Sequence, residues 1–520
     1  MRIMNKNNDS LFWIIFSIII IGYLYSNKSP NIESGGTKIN TILTQIENNY
    51  VDSIDITTLV ESAITQTLTN LDPHSIYMSS EDVSTSMESM QGSFDGIGIE
   101  FSIHRDTIII INVIPNGPSE KKGLRAGERI VSIEEENVAG VGIKNKDVIE
   151  RLRGKRGTNV KIGLQNNQDT LTRFINLTRD KIPLVSLDVA YEISPNIGYI
   201  KLNRFSATTF NEFKTELNKL KTESAIHSLI LDLRGNSGGY LDQAIKILDE
   251  FFGNKELLVY TEGNARKKQN YYADGFGNFQ NGRLCILIDE GSASASEIVA
   301  GAIQDNDRGI VVGERSFGKG LVQEQIPLKD GSLIRLTVSR YYTPSGRCIQ
   351  KPYSENQEEY FSEMYLRQKD IPLDTLQKFT TMKGRTVYGG GGIMPDHIIQ
   401  SKNDSLATSL VYLYTSDFFN NLAFDYVDRN RKNYDTFDNF NLELDEQYII
   451  LAKIKSWIIA ELGDNTNQAE LELEIHKNTE SIVKRFSALI VRQLWGWPKM
   501  QIFLNQDDEI IVSSLSLLNN

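Results

Sequence analysis

RLCILIDEGSASASEIVAGAIQDN, Arg283 to Asn306, is the stretch from which the fold of this chain is read. An apolar run closes in a string of small residues, and an amphipathic pattern, IVAGAI, follows at once. Ser294 therefore falls where a strand turns into a helix. A helix N-terminus leaves backbone N–H groups unpaired and carries a partial positive charge, so it offers an anion a docking point. Ala293 and Ala295 let a substrate carbonyl come close to that backbone, as a serine nucleophile with an oxyanion hole requires. The pattern outlines an acyl-transfer site.

Such a serine needs a base. The chain has five histidines, none of them in the Ser294 segment. Lys319, in GERSFGKGLVQ (Gly313 to Gln323), is the better candidate, because Gly318 and Gly320 let the backbone turn and pack tightly around it. A lysine acts as a base only when neutral, so its usual pKa near 10.4 must fall by roughly 3 units, a shift that burial supplies. Either half alone reads more plainly as a serine cap or a solvated lysine.

Taken together, SASASE, the downstream FGKG and DLRGNSGG (Asp232 to Gly239) closely resemble the C-terminal processing, or tail-specific, serine peptidases, from about Thr37 to about Pro395. The resemblance implies Ser294 as nucleophile, Lys319 as general base and Gln323 as the residue that orients the lysine. It places an oxyanion hole at the backbone N–H groups of Ala295 and Gly239. Asp305 matches an aspartate that some members need. Eleven residues of helix carry it about 16 Å along the axis from Ser294, too far for a direct hydrogen bond. The expectation is an arginine partner, Arg308 being nearest, or a support for the lysine loop; a solvated helix-end carboxylate is the plainer alternative.

Upstream, SFDGIGIEF (Ser93 to Phe101) and NGPSEKKGLRAGERIVSI (Asn116 to Ile133) look like a PDZ domain. Gly96, Ile97, Gly98 and Ile99 would present backbone N–H groups to a peptide's terminal carboxylate while the neighbouring strand adds the peptide to its sheet. Arg153 matches a family arginine thought to couple the PDZ domain to the active site, with an ordinary surface arginine as the alternative.

The 520 residues suit roughly three domains with cores of their own. A multidomain α/β architecture follows: a signal anchor and linker (1–36), an N-terminal helical region (37–90), a PDZ domain (91–180), a catalytic core (181–400) and a C-terminal helical region (401–520). Apolar runs such as IGYIKL and SLIILDL alternate with helical patterns such as YLDQAIKILDEFF, which indicates α/β layering; the resemblance refines this to a ClpP/crotonase-like core. The charged insertion Lys351 to Val387 is expected at the rim of the site. Trp495 and Trp497 suit either a contact between copies, making a homo-oligomer, or simple core filling.

A formal net charge of −12 argues against nucleic acid as a partner. The two cysteines make no disulfide framework, and the absence of metal-ligand spacing or a P-loop implies no metal and no cofactor. LFWIIFSIIIIGYLY, Leu11 to Tyr25, follows Arg2 and Lys6 and has the length of a signal-peptide core. Its aromatic end lacks small cleavage-site residues and favours an uncleaved membrane anchor with the body in the periplasm; a cleaved signal peptide is the alternative.

Two functions fit these observations. The first is a membrane-tethered serine endopeptidase that recognises apolar C-terminal tails of protein substrates through the PDZ domain and cleaves with a Ser294/Lys319 dyad. The second is an exported PDZ scaffold on an inactive peptidase fold, which would need neither Lys319 nor the GNSGG turn.

Overall fold

The computed structural model describes residues 30–166, 171–353, 356–362, 372–399, 408–462 and 468–519. At its centre lies a six-stranded sheet in the order Leu187–Ser194, Ile197–Leu202, Ser228–Asp232, Arg283–Ile288, Ile310–Gly313, His397–Ile398, parallel except for its first pair. Alternation along the strands supplies two apolar faces, as a sheet covered on both sides requires. Leu229, Leu231, Leu284, Ile286 and Val311 face the helices Thr209–Glu223, Leu241–Asp249 and Ala295–Asp305. Tyr199, Ile230, Cys285, Leu287 and Val312 face the other way.

That second face is closed by the end of the chain. Ile510, Ile511 and Leu518 of helix Glu509–Asn519 pack on it, and Arg234 donates to Asp508 at 2.8 Å beside them. Residues 497–519, grouped by sequence with the C-terminal helical region, thus complete the central sheet. The rest of that region forms a separate helical core around Phe419, Ile454, Ile482 and Phe486. Trp495 packs there against Phe437 and Phe440.

A second, five-stranded sheet holds Leu321–Pro327, Leu333–Tyr342, Leu257–Glu262 and Gln269–Tyr272, with Ile76–Met78 from the N-terminal region at its edge. The PDZ sheet runs Ile99–His104, Thr107–Val113, Arg129–Ile133, Asn159–Gln165, Arg173–Thr178, over a core that includes Ile110, Ile130, Val148 and Ile162. The C-terminal helices grip it: His104 meets Asn421 at 2.7 Å and Asp425 at 3.0 Å, Arg105 pairs with Asp425 at 2.7 Å, and Arg129 pairs with Asp428 at 3.0 Å.

Two expectations at the N-terminus need correction. The spacer Ser26 to Gly36 is helical from Pro30, the first residue of helix Pro30–Asn49. The membrane anchor, with the periplasmic placement built on it, is not retained. Among the described residues no helix is long and apolar enough to cross a membrane, and Leu11 to Tyr25 lies outside them. About 15 residues of helix rise roughly 22 Å, short of a hydrocarbon core of about 30 Å.

Candidate active site

Ser294 sits between strand Arg283–Ile288 and helix Ala295–Asp305 with φ 54° and ψ −111°. A non-glycine residue on that side of the backbone map costs about 1–3 kcal/mol and persists only where its surroundings hold it. Here they do. The Ser294 carbonyl accepts from Ile298 N at 3.0 Å and Tyr341 OH at 3.3 Å. The Asn236 carbonyl accepts from Ala293 N at 3.0 Å and Ser296 Oγ at 2.8 Å, which ties the elbow to the GNSGG turn. A Cβ on Gly238 would lie 2.8 Å from Ser294 Cβ and 2.9 Å from Ala295 N, so only glycine allows this approach. Gly238 N is taken by Asn236 Oδ1 at 2.9 Å. The N–H groups of Gly239 and Ala295 have no acceptor among the described residues, the condition an oxyanion donor must meet.

Between the elbow and the lysine loop lies Glu297, fully buried. Its Oε2 accepts from Ser294 N and Lys319 N, both at 2.8 Å; its Oε1 accepts from Ser316 Oγ at 2.5 Å and Gly318 N at 2.7 Å. One carboxylate therefore pins both halves of the expected dyad by their backbones. Burial raises its pKa, and the four donors oppose that rise. Lys319 itself is half-buried. Burial and then Arg335 pull it down to about 8, against Glu297 and Asp72, which push it up. No hydrogen bond joins Ser294 Oγ to Lys319 Nζ among the described residues.

Gln323 donates to Thr337 Oγ1 at 3.4 Å, where the sequence expectation aimed it at the lysine. Asp305 is buried and paired with the buried Arg347 at 2.6 Å, and it also accepts from Ser345 N at 3.0 Å and Oγ at 2.6 Å. The arginine partner is thus Arg347, while Arg308 donates to the carbonyls of Phe251 and Phe279. In the part of the insertion that is described, Tyr360 packs on Phe317, next to Ala293 and the elbow.

In the PDZ loop, Ser119 N and Oγ donate to the Ile97 carbonyl at 3.1 and 2.7 Å, and Ile114 N donates to the Gly98 carbonyl at 3.0 Å. Gly96 ends strand Ser93–Gly96, which pairs with Asp180–Pro183. The N–H groups of Ile97 and Gly98 have no acceptor among the described residues. Strand Ile99–His104 is an edge of its sheet, the position at which a peptide strand is added in this mode of recognition. Arg153 lies beside Gly96, over the Phe94 ring at 4.3 Å and paired with Glu88 at 2.6 Å. It joins the PDZ domain to helix Ser80–Gln91.

Residues 196–358 match Peptidase family S41, residues 96–177 match a PDZ domain, and residues 410–496 match a family of unknown function. The carboxy-terminal-processing protease of Bartonella bacilliformis is 34% identical over 337 residues, 64% of this chain and 76% of that protein. This chain belongs to peptidase family S41. Carboxy-terminal processing protease CtpB of Bacillus subtilis is likewise 34% identical, over 64% of this chain and 70% of its own length. Among solved structures, the photosystem II D1 C-terminal processing protease covers 71% of this chain and 89% of its own at 25% identity, with a TM-score of 0.37. The molecule is a serine-type C-terminal processing endopeptidase with a PDZ domain.

Sequence reasoning about this S41 peptidase missed Glu297, although Ser294-x-x-Glu297 has the spacing of a capping box and was readable as one. Arg347 carried no signal: it lies in a loop far from Asp305 in the chain.

Proposed function

We propose that this S41 peptidase captures the C-terminal tail of a protein substrate at Gly96–Ile99 and hydrolyses it with Ser294 and Lys319. Neutral Lys319 takes the proton of Ser294 Oγ as that oxygen attacks the scissile carbonyl. The oxyanion so formed accepts from Ala295 N–H and Gly239 N–H, donors already oriented and without other acceptors. Lys319 then returns the proton to the leaving amine, and an acyl-enzyme remains for water to cleave. Gln323 orients the lysine through the sheet that follows it, and Asp305 with Arg347 supports the far end of the elbow helix. In substrate-free enzymes nucleophile–base bonds are commonly long and tighten in the complex.

The observation that carries this reading is the strained Ser294 elbow set between two unspent N–H groups, with a lysine lowered to about 8 by burial and held on the same carboxylate clamp. Ser294→Ala and Lys319→Ala are each expected to lower cleavage at least about a thousandfold, because nucleophile and base act as a unit. Melting temperature and tail-peptide binding should stay at the wild-type level. Near-normal turnover by either purified variant would remove the assignment.

A further inference from the structure

The turn Leu71–Ser75 comes from the N-terminal region, outside residues 196–358, yet its Asp72 and His74 come within electrostatic reach of the lysine. Strand Ile76–Met78 carries it there by pairing antiparallel with Leu333–Tyr342, Ile76 opposite Arg335. Asp72, buried, accepts from His74 N and Ser75 N at 2.8 Å and from Ser75 Oγ at 2.7 Å. Across the junction Thr337 N donates to Ser75 Oγ at 3.1 Å and Thr337 Oγ1 donates to Asp72 Oδ1 at 3.2 Å. Thr337 Oγ1 is also the acceptor of the Gln323 amide.

A second chain starts at His74. Its Nε2 meets Tyr360 OH at 3.0 Å; Gln350 Nε2 donates to that hydroxyl at 3.0 Å, and Gln350 Oε1 accepts from Gly320 N at 2.9 Å. The Tyr360 hydroxyl thus accepts the Gln350 amide and shares one hydrogen bond with His74 Nε2. Burial first, then the charges of Lys319 and Lys351, hold this histidine down at about 3, against Asp72. The two chains end on Gln323 and Gly320, on the strand and in the loop that fix Lys319.

We propose that the Asp72–His74 turn is a positioning element for the lysine, a piece of the N-terminal region that sets the electrostatic environment of Lys319 and aims the Gln323 amide. This rests on the reading of Lys319 as the base. The charged groups that face Lys319 are Glu297 on the elbow helix, Arg335 on Leu333–Tyr342 and Asp72 on the turn. Glu297 is saturated by four donors. Asp72 is therefore the carboxylate whose removal changes the charge around the lysine while leaving the elbow clamp intact.

The test is the pH profile of kcat/KM and kcat for the full chain on a protein substrate. In wild type the rate should rise with pH through the lysine at about 8, and that limb should vanish in Lys319→Ala. Asparagine at 72 still caps His74 N and Ser75 N but lacks the charge that favours the ammonium. Asp72→Asn is expected to move the limb down by roughly half to one pH unit and to lower plateau kcat by roughly 5- to 30-fold. Tyr360→Phe and Thr337→Val break one chain each without touching a charge, so kcat should fall while the limb stays at about 8. A limb that disappears with Lys319 but is unmoved in folded Asp72→Asn overturns the proposal and leaves the base assignment standing. A limb that survives Lys319→Ala overturns the base assignment itself. Should Asp72→Asn not fold, wild-type kcat in both Tyr360→Phe and Thr337→Val overturns the positioning role.

Discussion

Glu297 shows how much a single buried carboxylate can organise. A fully buried charge is tolerated only when its lone pairs are satisfied, and here the four donors are the backbone of Ser294, the backbone of Gly318 and Lys319, and the Ser316 hydroxyl. The geometry of the elbow and that of the lysine loop thus depend on the same two oxygens. Glu297→Gln replaces one of those oxygens with an amide group that faces donors, leaving N–H groups opposed. It should destabilise the protein by about 1–3 kcal/mol and lower kcat much more than it raises KM, because the donors of Glu297 lie in the elbow and the lysine loop and not in the proposed tail-binding loop. Steady-state kinetics beside thermal unfolding would check this; wild-type kcat in a destabilised variant would reduce Glu297 to a structural role.

Elements were read unevenly from the sequence, for physical reasons. The strand–elbow–helix at Ser294 and the PDZ segment were legible because each is local, with apolar periodicity and small residues set side by side. The expected arginine partner of Asp305 is present as Arg347 and not the nearer Arg308, and the Gln323 amide donates to Thr337, since Arg347 and Thr337 approach through tertiary packing that no spacing records. The Asp72 turn and the helix Glu509–Asn519 were invisible for the same reason: an edge strand and an amphipathic helix do not announce which sheet they join. The anchor expected of the Leu11 to Tyr25 run was not retained, because apolarity over about 15 residues does not by itself establish a span. At this scale the PDZ loop makes its own prediction. With Ile97 and Gly98 N–H groups unspent beside an edge strand, amidating a substrate's C-terminus should weaken binding roughly tenfold. Competition between matched free-acid and amidated peptides measures it, and equal affinities would rule out carboxylate capture.

Across the whole molecule, the C-terminal helices serve two neighbours. One set grips the PDZ sheet through Asp425 and Asp428, and the final helix seals the face of the central sheet opposite the active site. Cys285 reports on that seal: its thiol is buried, and burial raises it to about 12. Ile511→Ala, which leaves a cavity on that face, should cost about 2–5 kcal/mol. In a Cys348→Ser background it should speed alkylation of Cys285 under native conditions; a rate unchanged from the parent would mean the last helix is dispensable to the sheet. The same seal has a consequence for the order in which the protein is made. Translation at about 5–20 residues per second delivers Ser294 on the order of ten seconds or more before Leu518. Until that last helix emerges, the strands that seat the nucleophile have one bare apolar face, and Arg234 lacks its Asp508 partner. A nascent chain therefore exposes its PDZ sheet before the sheet behind Ser294 is covered, and cleavage by ribosome-bound chains is expected only once Glu509–Asn519 has emerged.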